Sequence, residues 1–391
     1  MEKLVVLKLL PVLIMVVHFS SKAQEKQHGT QVLPEASKVL AFYQSQEYLK
    51  AAEYIKVFYK EPIRDLSVLM QLGLLSKAGN DYVQAKLYFQ RYLQIDSSNA
   101  SVLFNLASIY QTERKTEKAL ALYKTVLALD SNNVKTYQAL STMALRQKDL
   151  TAAFNYLHQA NKLQPYNIDI AFDFGNMALR LKQVKTAYDV FSIALEAHPN
   201  ELLLIKGKAQ TAFYLNKYRE AVQLLQTYIS LGGDVDAANV LLGEVYYYSQ
   251  EYNKSLQTFR ELGPLVDEME HTLYLMAMAY KNIGQNKMAL VYFDKSLHAA
   301  ISPNVARYWA EKGAIYKNLG NQADAIHALK KSIEYKPMAA SYYALAILYD
   351  YELNQKKNAI FYYKRYLNQK PSPEREADII EFVEERLKSL Q

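Results

Sequence analysis

Residues 100–133 read ASVLFNLASIYQTERKTEKALALYKTVLALDSNN. Ala107 and Ala119 are small and twelve residues apart, and bulky Tyr123 follows four residues later. The signature recurs with a period of 34 residues. The first small position is held by Gly73, Ala107, Ser141, Gly175, Ala209 and Gly243. The second is held by Ala85, Ala119, Ala153, Ala187, Ala221 and Ser255. The bulky position is Phe89, Tyr123, Leu157, Phe191, Leu225 and Phe259. A run of this length in constant register is an internal repeat, each copy being one supersecondary unit that stacks on its neighbours.

Within each copy apolar residues recur at three- and four-residue spacing, the period of an α-helix. Short polar segments such as Lys115-Thr116 and Lys148-Asp149 divide the copy into two helices, A and B. The small residues let the two helices approach closely, and the bulky residue is expected to fill the space between neighbouring copies. Asp96-Ser97-Ser98-Asn99, Asp130-Ser131-Asn132-Asn133 and Gln164-Pro165-Tyr166-Asn167 supply turn and cap chemistry after the B helices. Pro165 and Pro199 end a helix because proline lacks the N–H and clashes with the preceding turn.

These positions resemble the tetratricopeptide repeat family. Trp309, Gly313, Tyr316, Ala325 and Pro337 carry its pattern most fully, and Leu106, Ala107, Tyr110, Ala119 and Tyr123 carry it in an earlier copy. Tyr82, Tyr218 and Tyr252 hold the aromatic slot opening helix B, which makes many of the 33 tyrosines packing residues. The resemblance implies an all-α fold: a right-handed superhelical α-solenoid of about ten helix-turn-helix units. It spans residues 32–373, starting with a degenerate unit marked by Tyr48, Ala51 and Phe58. Two extra residues are expected near 299–303, and one in the A–B turn near 351–357. Residues 374–391 read as a C-terminal capping helix: Ser372 caps it, Pro373 sits at its first position, and Ile380, Val383, Leu387 and Leu390 make one apolar stripe. One hairpin buries too little apolar surface to offset its ordering entropy, so stability has to come from stacking.

Residues 1–23, MEKLVVLKLLPVLIMVVHFSSKA, read as a signal peptide followed by a linker at 24–31. Lys3 and Lys8 make a basic start, Leu9 to Phe19 an apolar run too short to span a bilayer, and Ser21 and Ala23 a small-x-small exit. The expectation is an exported protein, in the periplasm of a Gram-negative bacterium, with no stable membrane span after cleavage.

The chain has 391 residues, 50% of them hydrophobic and 22% charged, with only 12 glycines and 10 prolines, which favours folded helix over disorder. Its net charge of +7 falls to +5 without residues 1–23, which carry Lys3, Lys8 and Lys22 against Glu2. Acidic and basic residues interleave, unlike the clustered basic stripe of a nucleic-acid binder, so no nucleic acid is expected as a partner. With no cysteine, disulfides, thiolate chemistry and thiolate metal sites are excluded. The seven histidines fall at unrelated places in the repeat, and no phosphate loop, nucleophile elbow or His-Glu-x-x-His motif occurs. No catalytic residue, metal site or cofactor is expected.

The resemblance further implies that helix A lines the concave side. Carried onto this chain, the candidate partner-binding residues are Phe172, Asn176, Lys206, Gln210, Phe213, Tyr214, Glu244, Tyr247, Tyr274 and Lys281. Amides here can bond a peptide backbone while rings cover its side chains. Some relatives clamp a C-terminal carboxylate with Lys and Asn. Lys206 matches the Lys place, but Gln210 and Leu241 replace the expected Asn residues, so that clamp is broken. The reading is a non-catalytic scaffold that binds protein or peptide partners, within an envelope or secretion assembly. Its rival is a carrier or receptor for glycan, peptidoglycan or lipid, stacking on Tyr214, Tyr247, Tyr248 and Tyr274.

Overall fold

The computed structural model describes residues 34–299 and 304–390. The expected signal at 1–23, the linker at 24–31 and the spacer at 300–303 lie outside these residues. The described chain contains 21 α-helices and no strand. Its contacts divide it after Gln183 into two compact units.

In the first unit α1 (Ala36–Gln44) pairs with α2 (Tyr48–Lys56), α3 (Leu66–Ala78) with α4 (Tyr82–Ile95), α5 (Ala100–Thr112) with α6 (Thr116–Leu129), and α7 (Val134–Arg146) with α8 (Leu150–Leu163); α9 (Ile168–Arg180) closes it. The second unit opens on α10 (Val184–Ala197). It continues with the pairs α11 (Leu202–Tyr214) and α12 (Tyr218–Ser230), α13 (Val235–Tyr248) and α14 (Tyr252–Arg260), α15 (Glu270–Asn282) and α16 (Asn286–Ala299). Then come α17 (Val305–Asn318) with α18 (Gln322–Tyr335), α19 (Ala339–Ile347) with α20 (Lys356–Asn368), and finally α21 (Pro373–Leu390). The substantial helix contacts join elements that are next or next but one along the chain, the packing of a linear repeat.

The A–B turns share one closure. Asn80, Arg114, Lys148, Lys182, Asn216 and Gln250 all adopt positive φ, between 59° and 65°. The following N–H reaches back five residues to the helix: Lys115 to the Tyr110 carbonyl at 2.8 Å, Asp149 to Ala144 at 2.9 Å, Lys217 to Ala212 at 2.8 Å. This is the Schellman closure, which satisfies carbonyls left over at a helix end. The B–A turns are closed by side chains. Asp65, Asn99, Asn133 and Asn167 accept from the N–H groups of Val68, Val102, Thr136 and Ile170.

The small residues work as steric permission. A Cβ on Gly73 would stand 2.4 Å from the Phe89 ring, and one on Gly243 would stand 2.3 Å from Phe259. In both pairs the bulky residue therefore packs inside its own hairpin, a correction to its expected place between copies. Phe191 does reach the next copy, with its ring 2.7 Å from a Cβ placed on Gly207. Where the second small position is Ser255, its buried hydroxyl donates to the Gly243 carbonyl at 2.8 Å.

The later copies depart from the pattern. Helix α14 stops at Arg260, and a 3₁₀ turn from Gly263 to Glu268, with Gly263 at φ 58°, leads into α15. The extra residue expected in the turn near 351–357 is instead wound into the end of the A helix, as a π turn at Leu348–Glu352. That turn buries Asp350, whose carboxylate accepts from Arg386 Nε at 2.8 Å and Nη2 at 3.0 Å, and from the Tyr363 hydroxyl at 3.1 Å. Arg386 belongs to α21, which also buries Val383 and Leu387. Near its start Tyr366 donates to Glu376 at 2.9 Å, and Glu376 has non-helical φ. Among the described residues no helix is long and apolar enough to cross a membrane.

Candidate partner-binding faces

The candidate residues fall in both units: Phe172 and Asn176 on α9 of the first, the other eight on α11, α13 and α15 of the second. Phe172 and Asn176 are half-buried. Asn176 lines a cleft of about 340 Å³ with Gln138, Thr142, Asp173 and Arg180. Burial, with Asp169 nearby, holds the Asp173 carboxyl above the usual carboxylate range.

In the second unit α11 and α13 present a chain of rings. Phe213 packs on Tyr214 and Tyr248 with centroids 5.5 Å apart, and on Tyr218 at 6.2 Å. Tyr247 meets Tyr248 edge-on at 5.2 Å and Tyr252 at 5.7 Å. Residues 213, 214 and 218 are one repeat before 247, 248 and 252, so the shelf is one aromatic trio used twice. Burial against the neighbouring tyrosines pushes the Tyr247 hydroxyl up to about 12. Tyr214 and Tyr248 keep roughly half their surface, 51% and 47%, open. Beside them Gln210 Nε2 donates to the Tyr214 hydroxyl at 3.2 Å, and the Lys206 ammonium stands 6.0 Å from the Tyr228 ring centre.

Glu244 and His271 approach to 3.8 Å. Burial raises the Glu244 carboxyl and lowers the His271 imidazole, which weakens the attraction between them. Two expected lining residues are taken up by packing. Tyr274 is only 8% exposed, with Tyr308 stacked on it at 4.7 Å and the Arg307 guanidinium at 4.6 Å. It is therefore corrected from a stacking surface to a core ring. Lys281 is bonded to Glu311 at 2.5 Å, bridging α15 and α17.

On the polar face of the first unit, the basic residues were not among the expected lining residues. Lys77 donates to Asn105 Oδ1 at 2.8 Å and Ser108 Oγ at 2.5 Å, and burial pulls its ammonium down to about 8. Further along, Ser108, Gln111, Thr112, Arg114, Arg146 and Gln147 line a cleft of about 880 Å³. The available signal was the 34-residue spacing of Arg146 and Arg180.

Sequence models of the tetratricopeptide repeat match residues 102–135, 206–264, 270–299, 306–337 and 339–373. A TPR repeat-containing protein, MJ1428, of Methanocaldococcus jannaschii is 28% identical over 117 residues, 30% of this chain. The chain spans only 20% of that relative's length. Among solved structures, a tetratricopeptide repeat protein from Parabacteroides merdae aligns at 17% identity and TM-score 0.47, covering 66% of this chain and 98% of its own. YrrB, described as a TPR protein with an unusual peptide-binding site, aligns at 19% identity and TM-score 0.37, covering 47% and 92%.

Proposed function

The chain belongs to the tetratricopeptide repeat family, and from that premise we propose that it is an exported, non-catalytic scaffold holding partner proteins or peptides on its A-helix faces. One observation carries the reading. On α11 and α13, Gln210, Phe213, Tyr214 and Tyr248 stand together on rigid helices, two of the rings half open to solvent. Rings fixed by packing contribute contact area at little entropic cost, and adjacent amides can bond an extended backbone. The signal-like residues 1–23 support export, and together with the scaffold reading they support a place in an envelope or secretion assembly.

Placing a photo-crosslinking amino acid at Tyr214 in the native cell tests the reading. The expected result is a discrete crosslinked protein in the envelope fraction, lost when Phe213 and Tyr248 are replaced by alanine. Recovery of no protein under several growth conditions overturns it. The six-ring shelf also favours a second reading, a glycan carrier, because aromatic faces stack on sugar rings. That reading requires the purified chain to bind soluble glycan fragments with quenching of tyrosine fluorescence.

A further inference from the structure

Three arginines at the A-helix ends of the first unit have side chains that make no hydrogen bond or ion pair among the described residues. Arg114 stands in the α5–α6 turn, and Arg146 and Arg180 in the last turns of α7 and α9. All three are exposed, and among the described residues none has a carboxylate within ion-pairing distance. The nearby Glu113 is taken by Lys86 and Lys115. A cation near a helix C-terminus gains only about 0.3–1 kcal/mol from the helix dipole. That explains the tolerance of Arg146 and Arg180 but not their convergence on two clefts.

Arg114 and Arg146 line the larger cleft, and Arg180 lines the smaller one with Gln138, Thr142 and Asn176. Asp173 is the one carboxyl among the lining residues; it stands in the smaller cleft and forms no ion pair with Arg180. Arg146 and Arg180 occupy equivalent places in successive copies, so the clefts repeat with the helices. Arg146 and Arg180 stand on alternate helices, α7 and α9, which face each other across the smaller cleft; at a helix spacing on the order of 10 Å and an advance of ~3.3 Å per residue, they are about three residues apart along a bound strand.

We propose that the A-helix face of the first unit binds an extended acidic peptide segment of a partner protein, with one carboxylate between Arg114 and Arg146 and a second, about three residues along, at Arg180. This rests on the protein-binding reading above and gives it a ligand chemistry. Guanidinium groups pair with carboxylates through two parallel N–H donors. Gln138, Gln147 and Asn176 offer both donors and acceptors to the peptide backbone between those anchors, and Gln111, whose Oε1 already accepts from the Tyr123 hydroxyl at 2.8 Å, offers its N–H donors. A volume of about 880 Å³ suits several residues rather than a single small anion. The lining of both clefts includes no aromatic ring, whereas single-stranded nucleic acid is held by stacking its bases on rings. The observations therefore favour an acidic peptide over a nucleic acid.

The test uses the full chain and fluorescence anisotropy with labelled peptides in a Gly/Ser background. One carries Glu at two positions three residues apart, one carries Gln at both, and one carries Lys. The Glu peptide is expected to bind at least tenfold more tightly than the Gln peptide, to weaken at higher salt, and to lose at least tenfold affinity in R146A/R180A. The Lys variant R146K/R180K should retain part of the binding, because it keeps the charge without the paired donors. The reversal R146E/R180E should bind the Lys peptide instead. All these residues are exposed, and an unchanged urea midpoint confirms that the variants fold. Equal affinity for Glu and Gln peptides, no loss in R146A/R180A, or equally tight Arg-dependent binding of a single-stranded oligonucleotide overturns the assignment. The crosslink at Tyr214 is read separately. A crosslink that persists while the acidic peptide fails sinks the acidic-peptide proposal and leaves the scaffold reading standing.

Discussion

Gly243 shows what one residue decides in this fold. Its missing Cβ is the space into which the Phe259 ring fits, and its carbonyl takes the Ser255 hydroxyl. Gly243→Ala forces a methyl within 2.3 Å of a fully buried ring that has no room to retreat. Overpacking of that kind costs roughly 1–3 kcal/mol. The expected outcome is a lower urea midpoint with unchanged slope, partly restored by Phe259→Leu in the same chain; a neutral Gly243→Ala contradicts this packing. The two positions were legible in the sequence, because a small residue and a bulky one recur at fixed spacing, but their contact inside one hairpin was not. Nor were the left-handed turn residues. Arg114, Lys148, Lys182 and Gln250 do not announce a positive φ. Strain of ~1–2 kcal/mol per left-handed residue is imposed by the closure around them rather than by their own side chains. Tyr274 was misread for a related reason. The Tyr308 ring and the Arg307 guanidinium that cover it come from α17, after the spacer near residue 300 shifts the sequence register.

At the scale of elements, the informative junction is the π turn at Leu348–Glu352 and its hold on α21. The sequence placed one surplus residue in the A–B turn, whereas the chain winds it into the end of the A helix. Winding it into the A helix aims Asp350 at Arg386 and Tyr363. The Arg386 bonds, and then the Tyr363 bond, hold the Asp350 carboxyl below its ordinary value. A group whose pKa is depressed on folding adds stability above its unfolded value of about 4, and loses that contribution as pH falls through the folded value. Asp350→Asn is therefore expected to lower stability by roughly 1–2 kcal/mol at pH 7 and by progressively less below pH 4. Glu61 and Glu113 are also depressed and contribute to both proteins alike, so the readout is the difference between the two urea-midpoint profiles. A difference that stays constant down to pH 2.5 rules out the ionised Asp350 as its source.

At the scale of the whole chain, the fold is a succession of short-range agreements, which is why a sequence period disclosed it while disclosing little of the ligand. Substantial helix contacts stop at the next or next-but-one helix, so the free energy of each hairpin depends on its neighbours and hardly on distant copies. The partner faces have no such redundancy. Arg146, Arg180, Phe213 and Tyr248 leave no pattern beyond their own 34-residue echo. The locality has a measurable consequence. Asp350→Asn removes an anchor of α21, and its cost should appear where that anchor acts. In native-state hydrogen exchange, amides of α19, α20 and α21 should lose protection by the full destabilisation of the variant, roughly tenfold per 1.4 kcal/mol. The loss should decay through α18 and α17, and amides of α3 to α8 in the first unit should exchange as in the parent chain. If protection instead falls by the same factor in α5 and in α20, the chain opens as a single cooperative body, and the nearest-neighbour description of its stability fails.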